Sequence, residues 1–122
     1  MASSDHQTQI QKLSGSEEYF NWKFDMEMLL IGKDLWDIVQ GTEVLADDAT
    51  EKARNDFRKR DNKARSIICL SINSDLKIYV RNCNSSKEAW ESLQGHFEEK
   101  TMSKILMYRK QMYRLQMEKG VT

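Results

Sequence analysis

Bulky apolar residues gather around tryptophan in two stretches of this chain, residues 12–41 and 61–97. Charged, helix-forming segments lie between and after them. In the first stretch Tyr19, Trp22, Met26, Leu29 and Leu30 recur three or four apart and share one face of a helix. Phe20, Phe24, Met28 and Ile31 fall on a second, well-separated face. The pattern predicts a helix capped by Ser14 or Ser16 and running to about Lys33. A short helix over 34–40 follows and is closed by Gly41. Residues 42–48 read as a loop. From about Ala49 one amphipathic helix continues, with Ala53, Phe57, Ala64, Ile68 and Ile72 along its apolar face. A turn at Asn73 and Ser74 and a short helix over 75–81 come next. Ser85-Ser86-Lys87-Glu88 then forms a capping box, in which serine and glutamate satisfy each other's orphan backbone donors. The helix it opens carries Ala89, Trp90, Leu93 and Phe97 on one side, and a separate last helix is predicted over about 101–119.

Two of these helices carry more apolar surface than one core face requires. A peripheral helix of a small domain needs a single apolar stripe. The first helix has two, so it is either sandwiched centrally or shows one face to a partner. On the last helix Ile105, Tyr108, Met112 and Leu115 form one stripe and Met102, Leu106, Tyr113 and Met117 an adjoining one. Together they span roughly half the circumference, against a usual stripe of about 100° or a little more. Either this is a wide core face or it is a surface for self-association, for which methionine and tyrosine are well suited.

Composition narrows the class. The 122 residues match one domain, with no proline and only five glycines to interrupt helices. Alternation of period two is absent, so the expected fold is all-α, a compact orthogonal bundle of about five helices. The polar residues 1–12 read as a flexible arm and residues 13–122 as the helical domain. The 19 basic and 19 acidic side chains cancel, so no long-range field draws phosphate and nucleic acid is not expected as a direct partner. The basic run with Arg58, Lys59, Arg60 and Lys63 is interleaved with Glu51, Asp56 and Asp61, which reads as a solvated helix face. Apolar runs fall short of the about 18 residues that a membrane span needs. The opening residues lack the layout of a signal peptide, so an intracellular protein is expected, with no membrane partner.

Catalytic equipment is missing from the pattern. Cys69 and Cys83 fit no zinc spacing and read as small core hydrophobes. His6 lies in the arm, and His96 stands near Glu98 and Glu99 without a nucleophile or orienting group. Asp61 falls on the apolar stripe of the third predicted helix, where a carboxylate is expected to cap a neighbouring helix or to pair with an arginine. No phosphate loop, GxSxG or HExxH occurs. The expectation is therefore no enzyme, no cofactor, no metal and no small-molecule substrate.

Taken in order, these positions resemble the N-terminal part of the Gag polyprotein of copia-type LTR retrotransposons. The family's opening Leu-x-Gly, aromatic, Trp and Met-rich helix match Leu13, Gly15, Tyr19, Trp22 and Met26, and its LW-x-x-V-x-G matches Leu35, Trp36, Val39 and Gly41. Its Asp-x-x-Ala, apolar run, V-x-x-C and Ala-Trp-x-x-Leu match Asp61, Ala64, Ile68, Val80, Cys83, Ala89, Trp90 and Leu93. The closing Leu-x-Met-x-x-Gly-x-Ser/Thr matches Leu115, Met117, Gly120 and Thr122. What the resemblance implies is a fold like the N-terminal lobe of retroviral and retrotransposon capsids. It implies a domain that self-associates, weakly when alone, to build cytoplasmic virus-like particles around element RNA. Phe20, Phe24, Met28, Ile31, Met102, Tyr108, Met112 and Tyr113 would then be the contact residues, with other Gag regions as further partners. RNA would be reached only indirectly, through a basic or zinc-knuckle region that this sequence lacks. The sequence would be a capsid lobe cut from a longer chain, or a short domesticated gene acting as a host interaction module or inhibitor of assembly.

Overall fold

The computed structural model describes residues 10–119. In order come α1 (Tyr19–Gly32), α2 (Trp36–Gln40), α3 (Glu51–Leu70), a 3-10 helix (Ser74–Tyr79) and α4 (Ser86–Lys119). The fold is all-α, as expected; among the described residues the one extended pairing is a parallel bridge between Leu13 and Ile72. The predicted arm falls outside the described residues up to residue 9, and Ile10 already packs on the core.

Each helix starts and stops for a local reason. Neither Ser14 nor Ser16 caps α1. A turn over 16–18 precedes it, Ser14 is bonded to the Glu18 side chain, and the Ser16 carbonyl accepts from the Tyr19 N–H. The core face of α1 is the one the spacing predicts: Tyr19, Trp22, Met26 and Leu30 are buried. Gly41 ends α2 with φ +87°, a left-handed conformation that glycine adopts without steric cost. Thr50 caps α3 by accepting from the Ala53 N–H at 3.1 Å. On α3 the buried residues are Ala64, Ile67 and Ile68, while Ala53 is exposed and Phe57 only half-buried, so the predicted apolar face serves the core along its C-terminal half alone. Ile72 lies beyond the end of α3 and reaches the core through its bridge to Leu13.

The sequence predicted a break before residue 101, and none exists: α4 runs unbroken for 34 residues. No proline or glycine separates Phe97 from Thr101, and the Thr101 hydroxyl donates back to the Phe97 carbonyl at 2.9 Å instead of capping a new helix. At about 1.5 Å per residue α4 is about 50 Å long, more than the bundle occupies.

The core gathers on aromatic side chains. Trp22 stacks on Trp90 with ring centroids 5.7 Å apart, and Trp36 meets Trp90 edge-on at 5.4 Å. Tyr19 stacks on Phe97 at 5.1 Å. These contacts lay the first three turns of α4 against α1 and α2. The Ser71 carbonyl accepts from both the Leu13 N–H and the Trp22 indole N–H, tying the end of α3 to the start of the domain. Arg60 on α3 grips both Glu43 carboxylate oxygens, at 2.6 and 3.0 Å, and the Asp34 carbonyl at 2.6 Å. One guanidinium thereby fixes the 42–48 loop and holds Asp34 at its left-handed φ of 61°.

Candidate interaction surface

The polar clusters found among the described residues serve the fold. The Asp61 carboxylate accepts from the Ser86 N–H at 3.0 Å and the Ser86 hydroxyl at 2.6 Å, so α3 caps α4. Beside it the expected capping box forms with a shift of one residue. The Glu88 N–H donates to the Ser85 hydroxyl, while the Glu88 side chain accepts from the Asn84 N–H instead of that of Ser85. Glu98 accepts from the Tyr19 hydroxyl at 2.8 Å and from the Lys23 ammonium at 2.6 Å. Burial works to raise the Glu98 carboxyl, but the Lys23 and Tyr19 hydrogen bonds outweigh it and the net shift is downward. Burial and the adjacent carboxylate push the Tyr19 phenol well above its ordinary range, so it remains a donor. Every group in this cluster is satisfied by its neighbours.

The remaining reactive side chains are equally quiet. Cys69 and Cys83 are half-buried against the core, and burial pushes both thiols up, which keeps them protonated and poorly nucleophilic. His96 is half-buried: it stacks on Tyr79 with centroids 4.1 Å apart and meets Phe97 edge-on at 4.7 Å. Among the described residues no three His, Cys, Asp or Glu side chains gather where a metal could be held.

What stands out is apolar surface. All eight residues singled out as contact candidates are exposed. On α1, Phe20, Phe24, Met28 and Ile31 form a ridge opposite the core face, with Phe24 61% exposed. On α4, Met102, Tyr108, Met112 and Tyr113 lie beyond the last buried residue, Phe97, and Tyr113 is 66% exposed. Every residue from 102 to 118 is exposed, so half of α4 projects from the bundle with both its apolar stripes uncovered. The wide-core reading of that helix is thus overturned. The central-sandwich reading of α1 is overturned as well. A hollow of about 940 Å³ along this segment is bordered by the helix alone, so it is an open flank and not a pocket.

The two ridges approach one another at one point. Phe20 packs edge-on to Tyr19 at 5.0 Å, and Tyr19 stacks on Phe97, one turn before the projecting half of α4 begins. Sequence reasoning missed Met107, exposed on a third side of α4, and the cations Arg109, Lys110 and Arg114 that border the Leu106, Tyr113 and Met117 stripe. Their spacing on the same helical wheel was the available signal.

Residues 26–122 match the family described as gag-polypeptide of LTR copia-type. The chain belongs to this family. The match spans α2, α3 and α4 whole and the second half of α1, so it takes in part or all of every α-helix. The chain is also 27% identical over 112 residues to the Retrovirus-related Pol polyprotein from transposon TNT 1-94 of Nicotiana tabacum. That alignment covers 92% of this chain and 8% of the relative, so the chain spans less than a tenth of that polyprotein. No solved structure matches the chain. As a copia-type Gag domain it belongs to a structural, non-enzymatic class.

Proposed function

We propose that this Gag domain is a capsid-building module whose copies associate through the exposed ridges of α1 and the projecting half of α4. The observation that carries this reading is the run from 102 to 118, in which nine large hydrophobic side chains stand in solvent on one continuous helix. Water-exposed apolar area on this scale favours a partner, because covering it releases roughly 25 cal/mol per Å². Each contact is weak alone. In a closed shell, where every subunit offers the same patches, weak contacts reinforce one another. The assembled form is a virus-like particle in the cytoplasm, with element RNA held by Gag regions outside this domain. Other Gag segments are its further partners.

Light scattering across protein concentration, with electron microscopy of the concentrated sample, tests this function. Discrete oligomers or shells that dissolve on dilution are the expected result. A strict monomer at the highest attainable concentration contradicts it.

A further inference from the structure

We infer that the two ridges are halves of one heterologous contact: the projecting half of α4 in one copy lies on the outer face of α1 in a second copy. This rests on the self-association proposed above and specifies its geometry.

Charge supports the choice. Residues 17–32, which are α1 and its entry turn, carry Glu17, Glu18, Asp25 and Glu27 against Lys23, a net charge of −3 by four minus one. Lys23 is itself engaged by Glu98. Residues 102–118 carry Lys104, Arg109, Lys110 and Arg114 against Glu118, a net charge of +3 by the same subtraction. Pairing α4 with α4 sets +3 against +3, and pairing α1 with α1 sets −3 against −3. Only the cross-pairing brings opposite charges together, and like charges across an interface disfavour the alternatives strongly.

The flanks match in detail. At about 100° per residue, Phe20, Phe24, Met28 and Ile31 lie within about 80° of one another, with Glu27 on one border and Asp25 beyond the other. On α4 the stripe of Met102, Leu106, Tyr113 and Met117 spans about 60°, with Arg109 on one border and Lys110 and Arg114 on the other. An apolar seam with opposite charges on its two edges is how paired helices select their partners. Lengths agree too. The α1 ridge extends about 16 Å from Phe20 to Ile31 and the α4 stripe about 22 Å from Met102 to Met117. In this head-to-tail arrangement each copy offers one α1 ridge and one projecting α4, so an enclosed subunit makes the contact twice, once with each neighbour.

The test is sedimentation of the full chain and two charge-reversed forms. One form carries Asp25→Lys with Glu27→Lys, so its α1 and α4 are both basic. The other carries Arg109→Glu, Lys110→Glu and Arg114→Glu, so both its surfaces are acidic. Each form alone is expected to self-associate about tenfold more weakly or worse. Mixing the two restores association, because each acidic surface then meets a basic one. A chain carrying all five reversals again associates with itself. Helical circular dichroism and tryptophan emission confirm that each form is folded. Unreversed protein that associates while neither form is impaired overturns the cross-pairing and leaves self-association standing. So does a mixture that fails to restore association. Unreversed protein that stays monomeric at every concentration overturns both.

Discussion

At the scale of single residues, one carboxylate decides how the longest helix begins. Asp61 sits on an otherwise apolar stripe because its partner, the Ser86 backbone and hydroxyl, comes from the start of α4. Asp61→Ala leaves the buried Ser86 N–H and hydroxyl without their acceptor while the Ser85–Glu88 cap remains, and is expected to lower the unfolding free energy by about 1–2 kcal/mol in urea titration. Glu98 makes stability depend on acid. Its folded carboxyl is held below the ordinary value of 4.5 by Lys23 and Tyr19 against the opposing effect of burial. A depressed value means the stabilising contribution is present above the unfolded pKa and disappears as pH falls through the folded one. Comparing unfolding midpoints of the unaltered chain and Glu98→Gln across about pH 3 to 7 therefore gives a steeper acid loss for the unaltered chain. The role of Asp61 was legible in the sequence, since a charge on an apolar stripe demands a partner. The Tyr19, Lys23 and Glu98 cluster was not, because its members lie 75 and 79 residues apart and nothing local marks their meeting.

At the scale of helices, periodicity located the core face of α1, the short α2 and its glycine stop, and the capping box near Ser85. It misjudged two boundaries. The start of α1 was placed on serines that a preceding turn uses for itself, and a helix end was placed near residue 100 although no breaker stands there. A helix that leaves the bundle keeps the same local preferences as one that stays, so sequence pattern cannot see the point at which packing stops. That point falls at Thr101, after which no described side chain is buried. Because residues beyond it contribute nothing to the core, ending the chain after Lys104 is expected to shift the unfolding free energy by less than about 0.5 kcal/mol in denaturant titration. A substantially larger loss would mean that the projecting segment supports the fold.

At the scale of the whole molecule, the domain is a small helical bundle with a basic apolar rod extending from one corner and an acidic apolar ridge on its wall. The family membership rests on the match over residues 26–122, a range that holds the motifs the sequence displayed from Met26 onward. The exposure of the ridges was not decidable there, since a second apolar stripe has the same spacing whether it is covered by a neighbouring helix or by water. An uncovered helix of this length is marginal in water and frays, whereas the same helix laid on a second copy is held. Amide hydrogen exchange, measured on dilute and concentrated protein, reads this directly. The expected result is fast exchange over residues 102–118 in the dilute sample and clear protection there at high concentration, while residues 86–97 are protected in both. Exchange over 102–118 that is equally fast at both concentrations would contradict the assignment of this segment as the surface that joins one copy to another.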